Sequence, residues 1–287
     1  MSLYEYGLRM KTYEQVPKTK LMRRTPVAIR IEGIAFRAFT RGFQTPVDSM
    51  LVESMQETMK YLCKNVNGCV FGYTQSAEII LLLVDYKELN SQAWFDYEVQ
   101  KMCSVAASMA TMKFNQVFAE LSAKESEDLE VRARENPLFE NRDFLTRISI
   151  AHCDSASKGV MFDARCFNIP KEEVCNLIYW HQLEAVQNGF RIAGWAYFSQ
   201  TELQGKSHND IQNMLAKQKG IDEISLLKEV NIESACIKIW NEDEDDGGKI
   251  GDSLCLTKRP EWIIDNNMPV LKGEDRKYID KLIYVGE

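Results

Sequence analysis

Alternating branched apolar residues after a proline in "TPVAIRI" (25–31) predict a β-strand, closed soon after by Gly33. From Asp48 the period changes. In "DSMLVESMQETMKYLC" Leu51, Met55, Met59 and Leu62 recur at helical spacing, and Asp48 stands where an N-cap belongs. Methionines on such a stripe read as core filler. "GCVFGYTQSAEIILLLVDY" (68–86) then reads as a hairpin whose second arm is apolar on both faces, so that helices cover the sheet there or the arm lies in mid-sheet. "FDYEVQKMCSVAASMATMKFNQVF" (95–118) predicts a long helix with a face of small residues, and "LTRISIAHCDSA" (145–156) predicts a further strand. Strand, helix, hairpin, helix and strand together imply an α+β fold, an antiparallel sheet with helices on one side.

The charged stretch "SAKESEDLEVRARENP" (122–137) reads as a solvated helix end or loop. The second half is more helical, through "PKEEVCNLIYWHQLEAVQNGF" (170–190) and "HNDIQNMLAKQKG" (208–220). "NEDEDDGGKIGD" (241–252) reads as a solvated hairpin tip without the spacing of a calcium loop.

Composition narrows the class. With 287 residues, 45% of them hydrophobic, the chain can bury a core without staples. Eight cysteines without a C-x-x-C pair, beside only three histidines, suit a reduced intracellular protein with no structural zinc. No secretory h-region follows the start, and no apolar run approaches the roughly 20 residues of a spanning helix, so a cytoplasmic protein with no membrane partner is expected. A net charge of −7 and a pI near 5.3 exclude a generally basic nucleic-acid surface; any RNA contact has to be local.

Candidate chemistry lies where the first strand ends, at "RIEGIAFRAFTRGFQTP" (30–46). An acid (Glu32), a glycine (Gly33) and a short turn toward a helix form a place where backbone N–H groups meet phosphate oxygens, with Arg37 and Arg41 adding charge. A purely structural turn fits the same residues.

Several motifs in order carry a resemblance to a known family. "RIEGIAFRAFTRGFQTPVD", "GYTQSAEI", "SVAASMATMKFN", "FDARCFNIPKEEVCN", "AYFSQTELQGKS" and "RPEWIIDNNMPVLKGEDRKYI" resemble the tRNA-histidine guanylyltransferase family, in particular its bacterial and phage branch, from about Thr25 to Ile283. The resemblance implies a polymerase-palm-like (ferredoxin-like) sheet with a mainly helical C-terminal extension. On this division 1–150 form the nucleotide-binding palm, while 151–287 complete it and carry RNA- or partner-facing helices. It further implies 3′ to 5′ nucleotide addition on tRNA or another RNA 5′ end, a nucleoside triphosphate partner such as GTP, two Mg2+ ions held by two aspartates and a backbone carbonyl, and a homo-tetramer.

Carried over by position, the first metal aspartate falls at Glu32, the ligating glycine carbonyl at Gly33 and the second aspartate at Ala77, so that the family's S-D-E turn is Ser76, Ala77 and Glu78. Strand alternation points Glu78 to the opposite face from residue 77, against its serving as a substitute. Ile34 and Arg37 replace a basic residue and a histidine of the family's D-G-(R/K)-x-F-H, and His181 and Glu184 depart from R-Q-x-D-A-x-x-N, where Gln182 and Asn188 are kept. His181 reads as a packing or hydrogen-bonding residue. The parts that the resemblance implies would hold phosphate or RNA sit in matching motifs: the turn from Gly33 through Ile34 and Ala35 to Phe36, Arg41 and Ser76, then Asp163, Arg165, Asn168, Lys206 and Ser207. Each has a structural alternative, an Asp163–Arg165 ion pair or a "GKS" that caps the helix near Asn209. Three readings follow: a nucleotide-binding member with weak or no transfer activity, an active 3′–5′ nucleotidyltransferase, or a non-catalytic sequestering protein or scaffold.

Overall fold

The computed structural model describes residues 2–45, 47–136, 140–220, 233–241 and 259–285. In chain order the elements are α1 (Leu3–Gln15), β1 (Val27–Gly33), α2 (Phe36–Phe39), α3 (Ser49–Asn65), β2 (Cys69–Gln75), β3 (Glu78–Leu83), α4 (Val99–Glu135), α5 (Arg142–Lys158), β4 (Phe162–Asn168), α6 (Lys171–Tyr197), α7 (Gln200–Leu203), α8 (His208–Lys219), β5 (Glu233–Asn241), β6 (Arg259–Asp265) and α9 (Lys277–Ile283). The strands form one six-stranded sheet in the order β4-β1-β3-β2-β5-β6. Every neighbouring pair is antiparallel. The first four strands, with α3 and α4 as crossovers, are the split β-α-β arrangement of ferredoxin-like folds, and β5 and β6 extend one edge.

Period-two alternation divides β1 between two cores. Val27, Ile29 and Ile31 pack with Met55, Met59 and Leu62 of α3 and with Ala106, Ala110 and Phe114 of α4. The small face of α4 lets it lie close to the sheet. At Gly72 the approach is tighter still: a Cβ there would stand 2.4 Å from the Cys63 sulfur of α3. Ala28 faces the other way, into a second core with Tyr73, Ile80 and Leu82 under Val174, Cys175 and Ile178 of α6 and Ile279 and Ile283 of α9. Helices therefore cover both faces of the sheet, not one. The helices that connect the first four strands, α3 and α4, lie on one side as expected, and α6 and α9 of the C-terminal extension supply the second layer. β3 is central and buried on both sides, as its continuous apolar run requires.

Residues 145–156, expected as a strand, belong to α5. The short alternation in "TRISI" mimics a strand, but the buried residues Ile148, Ser149, His152 and Ser155 follow helical spacing, and the helix packs along α4. The strand that completes the four-stranded unit is "FDARCFN", β4. Asp48 caps α3 as expected, its side chain accepting from the Leu51 amide. The charged stretch 122–135 is the exposed end of α4. The acidic loop 242–252 lies outside the described residues. Among the described residues, no helix is long and apolar enough to cross a membrane.

Candidate functional site

Strand register builds the site. Glu32 of β1 lies opposite Glu78 of β3 on one side and Asp163 of β4 on the other, and Gln75 of β2 joins Glu78 to Glu233 of β5. These residues form a row across the end of the sheet. Because side chains two apart share a face, Arg30 and Arg165, themselves register partners, lie one step behind that row.

The two arginines bind the row together. Arg30 donates from Nη2 to Glu32 Oε1 at 2.7 Å and to Glu78 Oε2 at 3.1 Å, and its Nε also donates to Glu78. Arg165 Nη1 stands 2.7 Å from Glu32 Oε2 and its Nη2 3.7 Å from Asp163. Both oxygens of Glu32 thus face guanidinium groups. Glu32 reaches its own i−2 neighbour Arg30 with the methylene that distinguishes it from aspartate. Burial pushes the Glu78 carboxyl above its ordinary range, and Arg30 only partly reverses this.

Above the row lies His181 of α6, 1% exposed; its Nε2, 3.6 Å from Glu78 Oε1, has no hydrogen-bond partner among the described residues, and its Nδ1 stands 3.5 Å from Glu184 Oε2. Burial and the neighbouring Arg30 charge lower its pKa to about 4, so the ring is neutral at pH 7. It packs against Trp180 and Tyr73. Gln182 is structural: its amide donates to the Pro269 carbonyl and its carbonyl accepts from the Leu271 amide.

Ala77 sits in the two-residue turn between β2 and β3, where Ser76 takes a left-handed φ of 54°. The Ala77 carbonyl accepts from the Gly33 amide at 2.9 Å, which fastens the hairpin tip to the end of β1. The Ile34 amide donates to the Met161 carbonyl at 2.8 Å. These two amides of the expected phosphate-binding turn are thus spent within the protein. Gly33 has a steric requirement as well, since a Cβ there would lie 2.0 Å from the Phe36 ring. That ring packs against Phe39, Phe114 and Phe162.

The remaining sequence-predicted residues separate. Ile34, Ala35 and Arg41 line a cleft of about 780 Å³ with Asn115 of α4 and Lys158 of α5, on the face of the sheet opposite α6. Arg37 leans over the exposed Trp195 ring of α6, 5.4 Å from its centroid. Ser76 borders a small pocket with Asp48 and Ile192. Asn168 is not at the site: it pairs with Val27 at the other end of β1, and its amide holds Met22 through two hydrogen bonds. Its expected ligand-facing position is corrected to a latch for the N-terminal segment. Ser207 caps α8 in a reciprocal arrangement with Asp210, and exposed Lys206 precedes it.

The donors present do not fit a pair of magnesium ions. Octahedral Mg2+ wants several oxygen ligands at close to ideal geometry. Ala77 offers no side-chain oxygen, and an ion on Glu32 would compete with the guanidinium groups of Arg30 and Arg165, each at 2.7 Å. Among the described residues, no group of three or more His, Cys, Asp or Glu side chains is arranged to hold a metal. Arg30 escaped the sequence reading although period two alone places it beside Glu32.

A second charged cluster joins α3, α4 and α5. Buried His152 lies 2.9 Å from Asp48 through Nε2 and 2.8 Å from Glu125 through Nδ1. The two carboxylates outweigh burial and raise the ring's pKa, while Asp48 is lowered by His152 and two backbone amides in spite of its own burial.

Known proteins share this architecture. The chain superposes on a bacterial tRNA(His) guanylyltransferase-like protein in complex with ATP, with a TM-score of 0.71 and 30% identity over 98% of this chain and 100% of the other. A complex of a bacterial protein of the same description with GTP matches with a TM-score of 0.68 and 28% identity over the same shares. The tRNA(His) guanylyltransferase of Saccharomyces cerevisiae, at 16% identity and a TM-score of 0.52, shares the fold. An uncharacterised protein of Acanthamoeba polyphaga mimivirus is 30% identical over 123 residues, which are 41% of this chain and 42% of the viral protein. The sequence model of tRNAHis guanylyltransferase matches residues 7–170. On that match, over more than half its length, the chain belongs to the tRNAHis guanylyltransferase family.

Proposed function

We propose that this chain binds nucleoside triphosphates, or the 5′ end of an RNA, at the end of β1 and carries out little or no 3′–5′ nucleotidyl transfer. One observation carries the reading: Glu32, the acid left at the family's metal positions, has an arginine at 2.7 Å on each oxygen, and its partner position is Ala77. Losing metal-assisted charge stabilisation costs several kcal/mol of transition-state binding, or orders of magnitude in rate. Phosphate recognition by arginines survives that loss. Two relatives at 28–30% identity over nearly the whole chain, solved with ATP and GTP, support nucleotide binding. In this reading tRNA is the RNA partner, and the protein acts in the cytoplasm as a homo-tetramer.

The test combines binding and turnover. Titration of ATP and GTP, followed by calorimetry, is expected to give dissociation constants below about 1 mM, equivalent to roughly 4 kcal/mol. Extension of 5′-mono- and 5′-triphosphorylated tRNA with labelled GTP is expected to stay at background. Turnover at the rate of an active family member run alongside would overturn the reading, and so would failure to bind ATP, GTP and the triphosphorylated tRNA alike.

A further inference from the structure

Glu32 at the end of the sheet is already paired to two guanidinium groups, and this bears on how a polyphosphate is held there. In a two-metal site, divalent ions bring the positive charge and carboxylates bring the ions. Here the order is inverted. The carboxylate at the first position holds two guanidinium groups, and the second position holds nothing.

The two arginines are not equivalent. Arg30 is 26% exposed and is committed to both Glu32 and Glu78. Arg165 is 58% exposed and sits on β4, the edge strand; it makes one short ion pair, to Glu32, and its approach to Asp163 is 3.7 Å. A guanidinium carries several N–H donors in a planar fork suited to phosphate, and Arg165 spends few of them in the protein. Its register partner is Arg30, and through Glu32 it reaches toward the end of β1, where Gly33 pairs with Phe162, three residues before Arg165. Glu32 is therefore paired to one exposed arginine and one largely buried one, so a phosphate that draws Arg165 away leaves Glu32 still paired to Arg30.

We infer that Arg165 supplies the counter-charge for the polyphosphate in place of divalent ions, so that nucleotide binding by this chain does not depend on metal. The inference rests on the nucleotide-binding reading above and deepens it, by specifying a metal-free nucleoside polyphosphate as the ligand.

The experiment is titration of ATP and GTP into the full chain by calorimetry, once with excess Mg2+ and once with EDTA, for the wild type and for Arg165→Ala and Arg165→Lys. The expected result is an affinity that changes less than about threefold on chelation, falls at least tenfold in Arg165→Ala and recovers in part in Arg165→Lys, which keeps the charge but not the fork. Far-UV circular dichroism and thermal melting of each variant establish that it is folded. Binding that appears only with Mg2+, or that is unchanged in a folded Arg165→Ala, overturns this inference and leaves the nucleotide-binding reading standing. Absence of binding in both conditions overturns both. As an independent arm, the double variant Glu32→Asp, Ala77→Asp is expected to gain saturable Mn2+ binding by paramagnetic resonance where the wild type has none; Mn2+ bound equally by the wild type contradicts the inference.

Discussion

Replacing Arg30 by methionine tests whether the acid row depends on its guanidinium. The substitution keeps an unbranched stem and removes the charge that Glu32 and Glu78 share. Breaking a fully buried ion pair by removing one partner costs about 3–5 kcal/mol. Here the Arg30 and Glu78 side chains are 26% and 16% exposed, so solvent recovers part of that and a loss of about 2–3 kcal/mol is expected. The pH dependence gives the sign. Glu78 has a folded-state pKa above its ordinary value, so its contribution is fully present below the unfolded carboxylate range and is lost as pH rises through the folded value. Without Arg30 that folded value moves higher and the window widens. Urea denaturation at pH 5 and pH 8 should therefore show Arg30→Met to be more damaging at pH 8, and Glu78→Gln in the same background should restore stability at pH 8 in particular. A loss below about 0.5 kcal/mol, or an equal loss at both pH values, refutes the reasoning.

Three further variants probe other parts of the account. His152→Ala leaves Asp48 and Glu125 without their shared cation and should cost about 3 kcal/mol near pH 6. Because the His152 pKa is raised, its contribution is complete below the ordinary histidine value and fades as pH rises through the folded value, so the gap between wild type and variant in urea melts should narrow in alkaline buffer. Gly33→Ala forces a Cβ against the Phe36 ring and should lower stability by about 1–3 kcal/mol in thermal melts, with weaker nucleotide binding than the wild type. Asn168→Ala removes two hydrogen bonds to Met22 and should destabilise by about 1–2 kcal/mol while nucleotide affinity in calorimetry stays unchanged.

The alternation of β1, the Met55–Met59–Leu62 stripe and the apolar arm of β3 showed most of the first four strands and their crossover helices, because in each the local period agrees with the face that is buried. α5 was misread because the alternation in "TRISI" outweighs its helical spacing over so short a window, and the contact with α4 that decides the matter is tertiary. The helices of the second layer were expected, but the face they cover was not legible, for a similar reason. Nothing in the sequence of α6 says which face of the sheet it will cover.

Within the site, the family resemblance pointed to positions 32 and 77 and to Asp163 and Arg165, which strand register sets beside Glu32, Asp163 in its row and Arg165 one step behind. It could not show that Glu32 would be held by arginines, since that depends on cross-strand register and on the side-chain reach of Arg30 and Arg165. Asn168 misled because it shares a motif with Asp163 although five residues of extended chain, about 16 Å, separate them.

The most direct test of the central claim is single-turnover transfer of labelled GTP to 5′-triphosphorylated tRNA in Mg2+, comparing the wild type with Ala77→Asp and with Glu32→Asp, Ala77→Asp. The account predicts background transfer by the wild type, nucleotide binding intact in the same preparation, and measurable transfer only where aspartates return to both positions. Transfer by the wild type at the rate of an active family member would contradict it.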